Sequence, residues 1–241
     1  MRYLGGKSRL ARRLSEAMLA DTDTRTDYVE PFMGGASVLA AMAPHFERVL
    51  AADIHPLPVV YWRAVADGWL PADTVTKDEW DRLRAVAAGG GVSPDIAHAA
   101  FNASFGGKEW GGYARAVKPN GKLQNFADES RRRAARYAPA IEGVEFRVAD
   151  YHDVFESTPD GAVVYCDPPY RGTTAYRTAP FDADEFDAAC RALASRATVY
   201  VSEYSVGTPA EVVWSRDHVV SVAGGTGTRS RSTENLFQIL P

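Results

Sequence analysis

Four short apolar runs in this chain each end in a carboxylic acid, and this repeated pattern limits the folds available to it. Short runs of β-branched and apolar residues are typical of strands buried on both faces, as in parallel sheets covered by helices. The carboxyl ends of such strands meet at one edge of the sheet, where open α/β sheets bind ligands. The four acids that we expect at this edge are Glu30, Asp53, Asp150 and Asp167.

The order of the predicted elements gives an α/β fold with a mostly parallel sheet between two layers of helices. Residues 1–62 and 144–241 alternate strand and helix patterns and form the predicted sheet domain. Residues 63–143 lack this alternation, so we predict that they form an inserted, largely helical domain. Beyond Asp167 we expect a helix capped by Asp182 and ending near Arg196, strands at 198–202, 212–214, 218–222 and 236–240, and a flexible basic loop at 224–231.

An acid, two prolines and an aromatic residue follow the run at 162–166. Asp167 can accept a hydrogen bond from an amino group, and the carbonyl of Pro168 is left available because Pro169 has no N–H. Tyr170 offers a flat face on which a heterocycle can stack. Such a corner suits the exocyclic amine of a nucleobase. Asp-Pro-Pro is also an ordinary turn, so the interpretation depends on other parts of the chain.

A glycine turn follows the first predicted strand. Residues 27–39 give a strand, the pair Gly34-Gly35 and the start of a helix that we expect to run through about Met42. Glycines at such a turn let the backbone approach a ligand closely, although the spacing of a dinucleotide fingerprint is absent. Asp53 lies 19 residues after Gly34, close to the offset at which an acid meets a ribose hydroxyl. The two features together favour a nucleoside site.

The N-terminal segment supplies a further motif, Tyr-Leu-Gly-Gly-Lys at residues 3–7. The apolar residues that follow it, Leu10, Leu14, Ala17 and Met18, fit one face of a helix. The glycine pair therefore places Lys7 near a helix start, with Tyr3 just before the turn.

Together, these motifs resemble those of the Dam-type (class alpha) DNA adenine methyltransferases, which transfer a methyl group from S-adenosylmethionine to the N6 amino group of adenine. Tyr-Leu-Gly-Gly-Lys is similar to the family's N-terminal motif, and Val-Glu-Pro-Phe-Met-Gly-Gly-Ala-Ser-Val to its glycine motif. Asp-Pro-Pro-Tyr is similar to its catalytic motif, and the order of the motifs also matches. The resemblance implies a Rossmann-like methyltransferase fold, site-specific modification of a flipped adenine in double-stranded DNA, and a link to restriction and modification.

The resemblance also implies roles for individual residues. Asp167, Pro168, Pro169 and Tyr170 are the expected catalytic residues. Lys7 is expected near the carboxylate of S-adenosylmethionine, Asp53 at its ribose and Asp150 at its adenine amino group. The full set of implied cofactor contacts is Tyr3, Lys7, Glu30, Pro31, Phe32, Met33, Gly34, Asp53, Ile54, Asp150 and Asp167.

Charge is distributed unevenly along the chain. The whole sequence has a net charge of −4, whereas residues 101–136 hold eight Lys or Arg against three acids, a net +5 that leaves −9 elsewhere. Charge runs are commonly solvated helix faces, but here aromatic residues and glycines lie among the cations, which favours nucleic-acid contact. We therefore expect the inserted domain at 63–143 to carry DNA recognition. The predicted DNA-binding residues are Lys108, Trp110, Tyr113, Arg115, Lys118, Lys122, Arg131, Arg132, Arg229 and Arg231.

The composition argues against metal-binding, disulfide-bonded, membrane and secreted classes of protein. The two cysteines, Cys166 and Cys190, form no disulfide framework or metal-binding spacing, and the five histidines are scattered, so we expect no metal. No apolar run is long enough to span a membrane, and nothing resembles a signal peptide. We therefore expect a cytoplasmic protein. The family resemblance further implies a monomer of bacterial, archaeal or phage origin that binds double-stranded DNA.

Three alternatives stay open at this point. A DNA cytosine-N4 methyltransferase more often has serine in place of Asp167, and an RNA adenine methyltransferase would not explain the N-terminal Gly-Gly-Lys. A catalytically silent DNA-binding regulator would retain the scaffold without turnover. The glycine-rich residues 105–113 do not clearly reproduce the pattern of GATC readers, so the target sequence also stays open.

Overall fold

The computed structural model describes residues 1–117, 121, 123–170, 181–221 and 229–241; for 218–221 and 229–232 it describes the backbone alone. A seven-stranded sheet with the order β3-β2-β1-β4-β5-β7-β6 forms the centre of the molecule. All pairings from β3 through β5 are parallel, and β7 runs antiparallel to both of its neighbours. The strands are β1 (Asp27–Glu30), β2 (Arg48–Asp53), β3 (Glu145–Val148), β4 (Val163–Cys166), β5 (Thr198–Glu203), β6 (Ala210–Ser221) and β7 (Arg229–Ile239).

Helices connect the strands and cover the sheet. The described α-helices are α1 (Ala11–Asp21), α2 (Leu39–Met42), α3 (Pro56–Ala66), α4 (Lys77–Ala88), α5 (Pro94–Ala97), α6 (Phe126–Tyr137), α7 (Tyr151–Ser157) and α8 (Ala183–Ala194). Shorter helical turns occupy Ala43–His45, His98–Asn102, Phe105–Gly107 and Ala138–Ala140. Asp182 caps α8 as predicted, because its Oδ1 accepts the backbone N–H groups of Asp184 and Glu185.

The two faces of the sheet bury separate apolar clusters, which gives the three-layer arrangement predicted from the sequence. Strand residues alternate between the faces, so Tyr28 packs with Leu14 of α1 and Trp62 of α3. On the opposite face, Val29 packs with Val154 of α7 and Phe186 of α8. The fold class predicted from the sequence, an α/β Rossmann-like sheet, is therefore confirmed.

The segment between α3 and β3 is helical in its described part. Its buried side chains, such as Trp80 of α4, Ile96 of α5 and Phe101, belong to the same apolar cluster as Tyr28 and Leu14 of the sheet domain. The guanidinium of Arg2 also contacts this segment, because it donates hydrogen bonds to the backbone carbonyls of Asn102 and Ser104. The segment thus packs directly on the sheet layer and beside the N-terminal motif.

The last two strands are longer than the sequence predicted, which is a correction. Residues 212–214 and part of 218–222 belong to one strand, β6, with a register shift between Val212 and Trp214. Polar residues interrupt the apolar pattern there, but an edge strand keeps its backbone ladder while its side chains face solvent. Likewise, β7 begins at Arg229, so the predicted loop at 224–231 includes three strand residues. Residues 222–228 lie outside the described part of the chain.

The strand order changes direction between β1 and β4, and this switch point determines where a ligand can bind. The crossover connections leave β1 and β4 on opposite sides, so a crevice opens at their carboxyl ends. Glu30 ends β1, Asp53 ends β2, and Asp167 follows β4.

In the described ranges, none of the helices is both long enough and apolar enough to cross a membrane.

Candidate active site

A cavity of about 670 Å³ opens at the carboxyl edge of the sheet. Its walls include three segments far apart in sequence: the N-terminal motif, the glycine turn after β1 and the Asp-Pro-Pro-Tyr segment after β4. All the predicted catalytic and cofactor-binding residues line this cavity, namely Tyr3, Lys7, Glu30, Pro31, Phe32, Met33, Gly34, Asp53, Ile54, Asp150, Asp167, Pro168, Pro169 and Tyr170.

Lys7 and Asp167 form an ion pair in the catalytic corner. Nζ of Lys7 donates to Oδ1 of Asp167 at 2.6 Å, and the two side chains are 8% and 20% exposed. The sequence places Lys7 near the cofactor carboxylate, whereas in the structure its ammonium lies at the carboxylate of the catalytic motif. Because a turn at residues 8–10 connects Lys7 to α1, the helix that packs on the sheet also positions this ammonium.

Glu234 of β7 completes this corner, and the sequence analysis did not identify it. Its Oε1 lies 3.5 Å from Nζ of Lys7 and accepts the hydroxyl of Tyr170 at 3.0 Å. Nζ of Lys7 also lies 4.6 Å from the centroid of the Tyr170 ring, over one of its faces. The spacing of Glu234 from Leu236 could have indicated its position. Side chains two residues apart in a strand lie on the same face of the sheet, and Leu236 is buried in the apolar cluster under α1, so Glu234 lies on that face too.

Burial opposes ionisation of the carboxyl groups in this cavity. Desolvation raises the pKa of Asp167 above its ordinary value, while the ammonium of Lys7 lowers it and the nearby Glu234 raises it. Burial also raises the pKa of Glu30, to about 8, and the charge of Asp167 adds to this increase. Glu30 is 2% exposed and accepts the hydroxyl of Tyr28 at 2.7 Å. Glu30 is therefore mainly protonated at neutral pH in this state, whereas Asp167 keeps a cationic partner.

Asp53 joins the glycine turn to the end of β2. Its Oδ2 accepts the backbone N–H of Gly34 at 2.9 Å, and its Oδ1 accepts that of His55 at the same distance. The side chain of Trp62 donates to the carbonyl of Gly34 and fixes the turn from the other side. Each carboxylate oxygen has two acceptor sites, so these bonds leave capacity for a ligand hydroxyl. The role of Asp53 as a ribose contact stays a prediction.

Gly34 permits a close approach of Tyr3 to the turn. Gly34 has a φ of +37°, and a Cβ at this position would lie 2.9 Å from Cε1 of Tyr3. Any other residue would therefore be strained and would collide with the ring. The ring of Tyr3 in turn packs on Phe101 with centroids 5.3 Å apart. The glycine motif thus brings the N-terminal aromatic residue against the backbone that lines the cavity.

Aromatic rings form the wall on the β2–β3 side of the cavity. Phe32 stacks on Tyr151 at 5.7 Å and meets Phe181 edge-on at 6.1 Å. Asp150 caps α7, and its Oδ1 lies 2.7 Å from Nδ1 of His152. An apolar, aromatic wall with an acid at its rim fits a purine that carries an amino group. Tyr151, His152 and Phe181 were not identified from the sequence.

The donor and acceptor groups fit S-adenosylmethionine. The aromatic wall with Asp150 suits its adenine, and Asp53 at the glycine turn suits its ribose. The cavity is large enough for a ligand of this size, since sites for such molecules occupy about 300–1,000 Å³. Within the described residues, no group of three His, Cys, Asp or Glu side chains could hold a metal ion.

The predicted DNA-binding residues fall into several environments. Lys108, Arg115 and Arg132 are exposed, and Arg132 forms an ion pair with Asp128 one helical turn away. Arg131 instead donates to the carbonyl of Pro71 at 2.6 Å.

The aromatic members of the set are partly buried. The ring of Trp110 meets that of Trp80 at 5.4 Å, and Tyr113 donates its hydroxyl to the carbonyl of Val75. Lys118 and Lys122 lie outside the described residues, and only the backbone of Arg229 and Arg231 is described. Exposed Lys108, Arg115 and Arg132 are thus the described cations best placed for a partner.

Two of the solved structures with a similar outline are described as methylases or methyltransferases, and both have low sequence identity to this chain. An rRNA methylase from Streptococcus thermophilus is 8% identical, covering 95% of this chain and 96% of its own, with a TM-score of 0.40. A SAM-dependent methyltransferase from Agrobacterium tumefaciens is 11% identical. The match covers 98% of this chain and 62% of the Agrobacterium protein, with a TM-score of 0.43. No curated protein matches the sequence.

These structural likenesses are too distant to support a conclusion about this chain. The comparison with a family model is decisive. The model of the D12 class N6 adenine-specific DNA methyltransferases matches residues 3–84 and 107–204. The two matched segments include the N-terminal motif, the glycine turn, Asp53 and the Asp-Pro-Pro-Tyr segment. The match confirms the resemblance predicted from these motifs: the chain belongs to the D12 class N6 adenine-specific DNA methyltransferase family, whose methyl donor is S-adenosylmethionine.

Proposed function

We propose that this protein is a site-specific DNA methyltransferase that modifies the N6 amino group of an adenine flipped out of double-stranded DNA. The observation that carries the proposal is the position of Asp167, Pro168 and Tyr170 at the end of β4, inside the same cavity as Asp53 and the glycine turn. A base-holding corner and a nucleoside-binding corner thus share one cavity. This arrangement suits transfer of a group between a bound nucleoside derivative and a nucleobase.

The substrate amine needs activation, and Asp167 and the carbonyl of Pro168 supply it. The lone pair of an adenine amino group is delocalised into the ring, which makes the nitrogen a poor nucleophile. Two acceptors on its hydrogens favour a pyramidal nitrogen whose lone pair points away from the ring. S-adenosylmethionine, when bound, supplies an electrophilic methyl group on a sulfonium. The protein's contribution is mainly positioning, which can supply several kcal/mol of the barrier reduction, about 7–11 kcal/mol in favourable cases.

Asp167 is also the nearest acceptor for the proton that the amino group loses. The nitrogen becomes acidic once it carries the additional methyl group, so a carboxylate is a sufficient base. Burial raises the pKa of Asp167, which makes it a better proton acceptor than an exposed aspartate, while the ammonium of Lys7 lowers that pKa and favours the ionised form. Neither cysteine is needed as a nucleophile.

Tyr170 provides the stacking surface for the flipped base. Nζ of Lys7 lies over one face of the ring, so a base that stacks on Tyr170 uses the opposite face. A base within a duplex cannot reach Asp167, whose side chain is 20% exposed inside the cavity, so the proposal includes base flipping. The exposed cations Lys108, Arg115 and Arg132 support a DNA partner by their charge, and Phe105, which is 70% exposed and near Lys108 in the chain, adds an aromatic contact.

A labelling experiment tests this function. The purified protein is incubated with S-[methyl-³H]adenosylmethionine and either unmethylated chromosomal DNA or total RNA, and the products are hydrolysed to nucleosides. Label in N6-methyldeoxyadenosine supports the proposal. Label in N4-methyldeoxycytidine or only in RNA would replace it with one of the alternative methyltransferases, and cofactor binding without any label would indicate a silent regulator.

A further inference from the structure

We infer that Glu234 is a positioning residue for methyl transfer, which shares Lys7 with Asp167 and anchors the ring of Tyr170. The inference rests on the proposed function. Glu234 lies on β7, outside every motif that identified the site, and beyond the residues matched by the family model. Among the described residues, however, its side chain contacts Lys7 and Tyr170 of the catalytic corner.

The first part of the argument concerns the buried ammonium of Lys7. The side chain is 8% exposed and has three neighbours that attract a cation: Asp167 at 2.6 Å, Glu234 at 3.5 Å and the ring of Tyr170 at 4.6 Å. A buried ammonium is costly unless it is fully compensated. The side chain of Glu234 is 13% exposed, so the interaction is little screened by solvent. Glu234 therefore stabilises Lys7 in the position from which it reaches Asp167.

The second part concerns the charge of the corner. One ammonium and two carboxylates give this group a net charge of −1 when both acids are ionised. With Asp167 alone, Lys7 would neutralise the carboxylate that must accept amino hydrogens and then a proton. Because the ammonium of Lys7 is also attracted to Glu234, it neutralises the charge of Asp167 less completely. Asp167 therefore remains a stronger acceptor of hydrogen bonds and of a proton. The negative charge of Glu234 also acts directly on Asp167, because repulsion between the two carboxylates raises the pKa of Asp167.

The third part concerns the orientation of Tyr170. The hydroxyl donates to the same Oε1 of Glu234 that faces Lys7, at 3.0 Å. Tyr170 follows two prolines and precedes residues outside the described part of the chain, so this hydrogen bond ties the ring to the sheet. A fixed ring plane fixes the plane of a base stacked on it. Glu234 thus acts on the base through Tyr170 and on the carboxylate through Lys7.

The test separates these contributions by kinetics. E234Q removes the charge but keeps an oxygen that can accept the hydroxyl of Tyr170, whereas E234A removes both. D217N is the matched control: it removes a charge from the same hairpin at an exposed residue of β6 that accepts a hydrogen bond from Thr233. For each variant, kcat and the KM for S-adenosylmethionine are measured with tritiated cofactor and unmethylated chromosomal DNA, after a thermal melt shows that the protein is folded.

We expect E234Q to lower kcat by roughly tenfold, less than the 10²–10³-fold loss typical of a group that contacts the reacting atoms, with KM for the cofactor within about twofold of wild type. E234A should lose more, and adding Tyr170→Phe to E234A should cost little further activity, because the hydroxyl has already lost its acceptor. D217N should behave as wild type.

The outcomes distinguish this inference from the function on which it rests. If the wild-type protein modifies no DNA, the proposed function is wrong and the inference is wrong with it. If the wild-type protein is active and E234Q keeps its full kcat, the inference alone is overturned. The same holds if E234Q raises KM for the cofactor and leaves kcat unchanged, since Glu234 would then serve cofactor binding.

Discussion

The ammonium of Lys7 lies 2.6 Å from Oδ1 of Asp167, although 160 residues separate the two in the chain. This contact joins the N-terminal motif to the catalytic motif, which the sequence left as separate features. It follows from the topology: a turn at residues 8–10 connects Lys7 to α1, which packs on the same sheet face as β4 residue Tyr165. A cation held against the catalytic carboxylate counteracts the effect of burial, so Asp167 can be ionised inside a largely desolvated cavity.

Replacement of Asp53 should weaken cofactor binding more than it affects catalysis. Asp53→Ala removes the predicted ribose acceptor and two hydrogen bonds that hold Gly34 and His55. Hydrogen bonds to a charged group contribute about 1.5–3 kcal/mol, so we expect affinity for S-adenosylhomocysteine to fall by roughly 10- to 150-fold in calorimetry. Asp53→Asn, which keeps one acceptor oxygen, should lose less. Unchanged affinity in both variants would refute the ribose role.

Substitutions of Tyr170 should separate stacking from the hydroxyl contact. Tyr170→Phe keeps the ring but loses the bond to Glu234, so kcat should fall only a few-fold. Tyr170→Ala also loses base stacking, which is worth about 1–3 kcal/mol, and should lose roughly 5- to 150-fold. Initial rates of tritium transfer measure both. Equal losses in the two variants would show that the ring does not hold the base.

Glu30 gives the protein a specific dependence of stability on pH. Its pKa in the folded state is about 8, against an ordinary value of 4.5. Between these values the folded protein holds a proton that the unfolded chain has released, so stability falls as pH rises, by up to about 1.4 kcal/mol per pH unit.

Glu30→Gln removes this titration. In urea unfolding, the free energy of the variant should therefore decline less between about pH 5 and pH 8 than that of the wild-type protein. Glu211→Gln, at an exposed residue of β6, is the matched control and should parallel the wild type. A Glu30→Gln curve parallel to the wild-type curve would show that Glu30 is ionised in the folded protein.

Among the predicted DNA-binding arginines, Arg131 should differ from Arg115 and Arg132 in its effect, although the sequence treats them alike. Arg132→Ala and Arg115→Ala remove exposed cations, so each should reduce the slope of log K against log salt for DNA binding by about 1. Arg131→Ala should mainly lower the free energy of unfolding, by about 1.5 kcal/mol, because its guanidinium binds the carbonyl of Pro71. Fluorescence anisotropy over a salt series distinguishes the two results. An equal change of slope in all three variants would contradict this assignment.

The sequence predicted the sheet edge and its motifs because each depends on local pattern. An apolar run that ends in an acid, as at Glu30 or Asp167, places the acid at a strand terminus without any knowledge of tertiary contacts. The glycine turn and Asp53 were predicted from their spacing, and the structure joins them through a hydrogen bond between Gly34 and Asp53.

Contacts between distant segments could not be predicted in this way. Glu234 lies in a mainly polar strand, and its proximity to Lys7 depends on the antiparallel pairing of β7 with β5. Composition likewise could not separate aromatic residues that face solvent from those that pack inside. Phe105 is exposed, whereas Trp110 lies against Trp80. Pattern predicts the strand on which a residue lies, and packing determines its neighbours.

The most direct test of the account is to express the protein in a host that lacks DNA methylation and to sequence the host DNA for modified bases. The account predicts N6-methyladenine at one recurring sequence with the wild-type protein, and none with Asp167→Ala at equal expression and similar melting temperature. Methylation that persists in Asp167→Ala would contradict the role of the catalytic carboxylate. Unmodified DNA in the presence of a folded, cofactor-binding wild-type protein would contradict the proposed function itself.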